Sequence, residues 1–125
     1  MKVKIFVEDT DLMGLVYHTN YIKYCDRART QLFFDDRVSI HDEHGGLVIS
    51  KLEAKFLKPA KLGDTLEIKG LIRQLKKSSL EVYQEIFLDD TLIFTLQTHM
   101  VFIKEQRPSK IPLKMQELFK KHLPN

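Results

Sequence analysis

A single cysteine, Cys25, leaves this chain without any internal disulfide framework and agrees with a reducing compartment. Five glycines and four prolines in 125 residues are too few for a fibrous repeat or a flexible low-complexity linker. No stretch approaches the roughly 18–20 apolar residues of a membrane span. The start, Met1-Lys2-Val3-Lys4-Ile5, lacks the apolar segment of a secretory leader, so a cytoplasmic protein without a transmembrane segment is expected. Gly-x-Ser-x-Gly elbows, glycine-rich phosphate loops and dinucleotide fingerprints are all missing. Metal-ligand spacing is missing too. Asp9-x-Asp11 with Gly14 begins like a calcium loop, but its fifth and twelfth positions are Met13 and Asn20, where oxygen ligands are needed. His18, His41, His44, His99 and His122 form no zinc pattern with the remote Cys25, and His41 with His44 reads as an exposed loop pair. No metal or separate cofactor is expected.

What remains is an ordinary globular composition, 43% hydrophobic and 30% charged, in a chain long enough to bury a core. No repeat or linker divides residues 1–125, which read as one domain. The net charge of +3 is unevenly spread. Residues 1–103 carry 14 Lys/Arg against 15 Asp/Glu, while residues 104–125 carry 6 against 2. The body is close to neutral and the basicity belongs to the tail. Together with the lack of a strand interleaving aromatic and basic residues, this argues against nucleic-acid binding.

Val3, Ile5 and Val7 alternate with charged residues and predict a short first strand. From Thr19 to Asp35 the apolar steps become +4, +3, +4 at Tyr21, Cys25, Ala28 and Leu32, which predicts one long amphipathic helix with Thr19 or Asn20 as its N-cap. Cys25 falls on the apolar face, as a small core residue rather than a nucleophile. Four strands follow: Leu47–Leu57, Leu66–Ile72, Leu80–Phe87 and Leu92–Ile103, the last three an antiparallel meander. Apolar residues on both sides of the last strand predict a covering partner. Leu113, Leu118, Phe119 and Leu123 permit a short C-terminal helix with a basic outer face. This order defines an α+β domain, with a sheet wrapping one side of a long helix.

Chemistry concentrates in Glu8–Tyr21, where two carboxylates, a glycine, a histidine and an asparagine feed a helix N-terminus. Unpaired N–H groups and partial positive charge there suit a developing oxyanion, and a nearby carboxylate suits a general base or nucleophile. Turn and capping roles are the simpler reading of Asp9 and Asp11 by themselves. Lys76-Lys77-Ser78-Ser79, taken alone, is a solvated basic turn.

Glu8-Asp9-Thr10-Asp11, Gly14, Val16-Tyr17-His18, Asn20-Tyr21 and Arg27-Ala28-Arg29 together resemble the signature of YbgC-like acyl-CoA thioesterases, within the 4-hydroxybenzoyl-CoA thioesterase family. Phe56-x-x-Pro59-Ala60-x-x-Gly63-Asp64-x-Leu66 is similar to a strand connection of that family. The resemblance implies a hot-dog fold, a long central helix wrapped by a five-stranded antiparallel sheet. It implies hydrolysis of acyl thioesters of coenzyme A or of a phosphopantetheine carrier, coenzyme A being part of the substrate. Asp11 matches the catalytic carboxylate, His18 the backbone oxyanion contact, and Tyr17 shapes the site. Lys76 and Lys77 match a turn that holds coenzyme A phosphates, and Gly14 and Asn20 line the substrate site. A homodimer or homotetramer with sites between subunits is implied, and an acyl carrier protein is a candidate partner. The sequence departs from the pattern at Phe6-Val7 and Leu12-Met13, which make the entrance more apolar. A non-catalytic acyl-CoA sensor is the alternative.

Overall fold

A computed structural model describes residues 1–43 and 45–124. The long helix α1 spans His18–Asp36 and packs against one face of an antiparallel sheet. The strands are β1 (Lys2–Lys4), β2 (His41–Asp42), β3 (Gly45–Phe56), β4 (Thr65–Leu75), β5 (Ser79–Leu88), β6 (Thr91–Lys104) and β7 (Arg107–Pro108), and a short helix α2 covers Leu113–Lys120. Their order across the sheet is β1-β4-β5-β6-β3-β2, with β7 on the end of β6. The expected five strands are all present; β2 and β7 are two-residue additions at the ends of β3 and β6. Register shifts at Ile49/Lys51, Ile72/Gln74 and Ile86/Phe87 bend the strands, as bulges do, and let the sheet curl round the helix. No helix among the described residues is long and apolar enough to cross a membrane. His41 lies in β2, whereas His44 falls outside the described residues.

Helix α1 buries Tyr21, Tyr24, Cys25, Arg29 and Phe33. Tyr21, Tyr24 and Cys25 lie on the face the spacing predicts, but further along the buried positions are Arg29 and Phe33, while the expected Ala28 and Leu32 are half-buried. Strand β5 follows its alternation: Leu80, Val82, Gln84 and Ile86 are buried and the residues between them are not. The core has two apolar clusters. One surrounds the N-terminal half of α1 with Ile5, Leu66, Phe94 and Leu96; the other surrounds its C-terminal half with Ile72, Leu80, Phe102 and the α2 residues Met115, Leu118 and Phe119. Buried polar residues join helix and sheet at mid-helix. Arg29 Nη1 donates to Gln84 Oε1 at 2.9 Å and to Thr98 Oγ1 at 3.4 Å, and Gln84 Nε2 donates to the Cys25 carbonyl at 2.8 Å.

Four local expectations are corrected. The first strand ends at Lys4, and Val7 is exposed, because the Asp9 carboxylate accepts the Phe6 N–H at 2.9 Å and winds Val7–Asp9 into a 3-10 turn. Tyr17, not Thr19 or Asn20, is the N-cap of α1, because the Asn20 amide is used elsewhere. Met115 replaces Leu113 on the buried face of α2, where Leu113 is exposed. Finally, Ile93–Leu96 are all buried, but the register shift at Phe87/Leu92 turns the unpaired Ile93 inward. The outer face of β6 is polar at its middle, where Gln97 bonds Arg73 and Glu81 and His99 faces Glu81, and carries the half-buried Val101 and Ile103 beyond. Unsatisfied apolar surface lies on β3, where Val48, Ile49, Leu52 and Phe56 are exposed and, among the described residues, only Gly45 and Gly46 have a strand neighbour on the outer edge.

Candidate active site

The connection into α1 is a small hairpin. Asp11 N–H donates to the Leu15 carbonyl at 2.8 Å and Gly14 N–H donates to the Asp11 carbonyl at 3.1 Å. Gly14 sits at φ +75°, in the left-handed region that an L side chain rarely adopts, with open space where a Cβ would point. Gly14 is thus a turn former. The hairpin is tied down on one side by Val16 N–H to the Ala60 carbonyl and Leu62 N–H to the Gly14 carbonyl, each 2.9 Å. On the other side, the Asp9 carbonyl accepts Tyr17 N–H at 3.0 Å and Asn20 Nδ2 at 2.8 Å. Asn20 therefore anchors the hairpin to the helix, with its amide turned to the backbone. The buried Tyr24 hydroxyl faces the Asp9 carboxylate; burial raises its pKa, and the interaction with Asp9 raises it further.

This anchoring fixes Asp11. Its Oδ1 accepts Met13 N–H at 2.8 Å and Leu15 N–H at 3.1 Å, while Oδ2 has no partner among the described residues. A carboxylate held through one oxygen keeps the other for chemistry. Asp11, Tyr17 and His18 line one open cavity of about 430 Å³, whose apolar wall includes Val16, Tyr21 and Phe56. The His18 ring lies 4.6 Å from the Tyr17 ring and 6.3 Å from the Phe56 ring. His18 is also the first residue of α1. Tyr17 offers no side-chain cap and the first turn carries no acidic residue, so nothing on the helix neutralises its positive end. Sequence reading missed the aromatic wall. Tyr21 is buried with its hydroxyl accepting Ala60 N–H at 2.9 Å, its pKa raised by burial, and Phe56 packs over it at 6.0 Å. Tyr21 belonged to the quoted motif and Phe56 to the strand connection, and only their convergence required the fold.

Lys76 and Lys77 stand elsewhere. They occupy the β4–β5 turn, beside the cluster at the C-terminal end of α1. A helix of 19 residues separates them from Asp11 of the same chain, roughly 28 Å at 1.5 Å per residue. Another depression, about 300 Å³, opens over Arg29 and Gln84 beside β4. Its one carboxylate among the described residues, Asp35, sits at the negative end of α1, which is unsuited to an oxyanion. No three His, Cys, Asp or Glu side chains gather as a metal site would among the described residues.

A helix wrapped by an antiparallel sheet, with a carboxylate held in a cavity at the helix N-terminus, defines an α+β domain with one candidate site there. Comparison gives the family: the thioesterase superfamily matches residues 13–94, and the chain belongs to it. Acyl-CoA thioesterase YbgC of Helicobacter pylori is 37% identical over 98% of both chains. Acyl-CoA thioester hydrolase YbgC of Escherichia coli is 30% identical over 94% of this chain and 92% of its own. Among solved structures, a 1,4-dihydroxy-2-naphthoyl-CoA thioesterase from Synechocystis superposes with TM-score 0.89 over 96% of this chain and 93% of that one, at 23% identity. The fold is the hot-dog fold of these thioesterases, and the protein is a thioester hydrolase.

Proposed function

We propose that the protein hydrolyses acyl-CoA, with Asp11 Oδ2 as the reacting oxygen and the His18 backbone N–H as the oxyanion donor. The observation that carries this is the carboxylate pinned through Oδ1 alone, in the same cavity as the uncapped start of α1. In this reading the thioester carbonyl oxygen lies against the His18 N–H, where the helix dipole stabilises charge as the carbonyl carbon becomes tetrahedral. Oδ2 either attacks that carbon or takes a proton from a water that does. Collapse expels the thiolate. In the general-base route water's oxygen is then in the free acid, whereas in the direct route an acyl–aspartyl anhydride forms and water cleaves it to release the acid and restore Asp11. Val16, Tyr21 and Phe56 give the acyl group an apolar wall, the Tyr17 and His18 rings border the cavity, and Gly14 and Asn20 hold the hairpin in place. Two YbgC relatives named for acyl-CoA thioesters support the substrate class.

The site is completed in this reading by a second copy. Strand β3 leaves most of its outer edge unpaired and exposes Val48, Ile49, Leu52 and Phe56, features that favour edge pairing between two copies about a two-fold axis. Phe56 ends that strand and also lines the cavity, so pairing there brings the partner to the rim of the site.

Thiol release from acyl-CoA of several chain lengths, and from aromatic acyl-CoA, tests the proposal beside Asp11→Asn. Asparagine keeps an oxygen for the two N–H groups but neither attacks nor takes a proton, so turnover falls by ~10²–10⁴ while the fold persists. Near-normal hydrolysis by Asp11→Asn removes Asp11 from the mechanism. Saturable acyl-CoA binding without thiol release by the unmodified protein supports the sensor alternative. Single turnover in ¹⁸O-water tests for the direct route, since label in Asp11 arises only when an aspartyl anhydride forms and water adds at its aspartyl carbonyl.

A further inference from the structure

We infer that the notch between α1 and β4 is a second binding site, which takes an aliphatic monocarboxylate on the Arg29 guanidinium and the Gly70 backbone N–H. The inference goes beyond the acyl-CoA reading and does not depend on it, since neither group lines the Asp11 cavity.

Two small residues open the notch. On the inner face of β4, Leu66, Ile68 and Ile72 are buried, but Gly70, on the same face between the last two, is exposed. A Cβ at Gly70 would lie 2.9 Å from Gln84 Cγ, so only glycine lets the Gln84 side chain lie across the strand there. Ala28 is the small residue on the α1 side. The edge of β4 has a gap at the same place. Ile68 N–H donates to the Met1 carbonyl at 2.8 Å and Ile72 N–H to the His122 carbonyl at 2.9 Å, both on the side away from β5. By the strand's two-residue period Gly70 N–H points to that edge too, and it has no partner among the described residues.

Charge and shape together identify the ligand. Arg29 is the one charged side chain that is buried among the described residues. Its Nη1 donates to two neutral oxygens, Gln84 Oε1 and Thr98 Oγ1, and its Nη2 to Asp26, whose side chain is 66% exposed. Its Nε has no partner among the described residues. A buried guanidinium whose counter-ion stands largely in water is under-compensated, and a carboxylate shielded beside it supplies the missing charge. The notch, about 300 Å³, is at the small end of ligand pockets and has apolar walls at Leu32, Ile68, Ile72 and Val82. An apolar void of about 40 Å³ adjoins it at Leu32, Ile72 and Val82. These walls suit a hydrocarbon chain of medium length. Asp35, on the rim toward the negative end of α1, repels an anion in proportion to its charge. One carboxylate met by Arg29 is tolerated; the several charges of a nucleotide are turned away. Free acids of this kind are what a thioester hydrolase releases.

Methyl-detected NMR of the full chain titrated with octanoate tests the site. Saturable shifts are expected at the Ile68, Ile72 and Val82 methyls. Octan-1-ol and suberate, the uncharged and doubly charged analogues, are expected to bind at least about tenfold more weakly. Arg29→Met is expected to lose about tenfold as well. That residue also joins α1 to the sheet, so two variants of exposed rim residues decide the matter if it does not fold. Asp35→Asn tightens octanoate binding and Gln31→Glu weakens it, each about two- to fivefold at low salt. Absence of saturable shifts, or shifts confined to Val16 and Leu57 in the Asp11 cavity, overturns the inference. Equal binding of octan-1-ol, or rim variants that leave octanoate affinity unchanged, overturns it too. Every readout is made without a thioester, so loss of this site leaves the hydrolase reading standing. Conversely, Asp11→Asn keeps octanoate binding in the notch while turnover falls.

Discussion

Replacing Gln84 by leucine tests the polar layer that holds α1 to the sheet. The side chain is buried and makes two bonds, accepting from Arg29 Nη1 at 2.9 Å and donating to the Cys25 carbonyl at 2.8 Å. Leucine fills a similar volume but satisfies neither group. An orphaned buried carbonyl costs about 1–3 kcal/mol, and a buried cation deprived of an acceptor costs more. Arg29 keeps its 2.8 Å contact to Asp26 and the long 3.4 Å contact to Thr98. The Asp26 side chain is 66% exposed, so solvent screens that pair and it contributes little. A total near 3–5 kcal/mol follows for Gln84→Leu. With an unfolding entropy of about 2.1 cal/mol/K per residue, 125 residues convert this to a Tm loss of roughly 11–19 °C. Calorimetry or urea unfolding at one fixed protein concentration measures it. Adding Arg29→Leu removes the stranded cation, so the double variant is more stable than the sum of the singles by about 2 kcal/mol. A Gln84→Leu protein within about 1 kcal/mol of the original, or a strictly additive double variant, refutes the reasoning.

Other consequences are more local. Gly14→Ala meets no atom within 4 Å, so its cost is the left-handed backbone alone, about 1–2 kcal/mol. Because that strain bears on the hairpin that aims Asp11, kcat is expected to fall more steeply than Tm, as steady-state kinetics beside a melting curve will show. A charge on the β3 edge, Leu52→Lys, is expected to give monomers by analytical ultracentrifugation and to depress turnover although Asp11 is untouched; a fully active monomer contradicts the shared site. Cys25 is fully buried and desolvation pushes its thiol from near 9 up to about 12. It should resist alkylation at neutral pH until the protein is unfolded. Between pH 9 and 12 the unfolded thiol ionises while the folded one keeps its proton, so this residue's contribution to stability declines as pH rises through that window; a base titration of Cys25→Ser, which lacks that slope, isolates it.

Legibility in the sequence followed the range of the interaction involved. The α1 face and β5 alternation depend on one element's own period, and both were readable from Tyr21, Cys25, Leu80 and Val82. Val7 continued a strand pattern, yet one carboxylate three residues from Phe6 redirected the chain into a turn. Ile93 entered the core through a register shift, a property of the β5–β6 pair that neither strand shows alone. Arg29 stood inside a recognised motif without any periodic signal that it would be buried, because its burial depends on Gln84 and Thr98 from strands far along the chain. In the site, Asp11, Tyr17 and His18 were found together because they are neighbours in sequence as well as in space. Asn20 was expected at the substrate, and its amide was found on the Asp9 carbonyl.

The same distinction explains why the lysines resisted interpretation. Lys76 and Lys77 are a basic turn until the tail folds back on them, and Lys110 and Lys120 are a basic tail until Ile111 docks on that turn. The net charge of the chain describes neither condition, since it sums over groups that are paired, such as Lys121 with Asp36, and groups that are not. A 19-residue helix then keeps these lysines and Asp11 at opposite ends of one chain. At the Asp11 end the same chain places Lys58 on the cavity wall and bridges Lys61 to Leu15 beside it. If two copies pair through the β3 edge, the second copy borders the cavity at Phe56, and dilution below the dimer's dissociation constant should raise KM for acyl-CoA before it affects the fold.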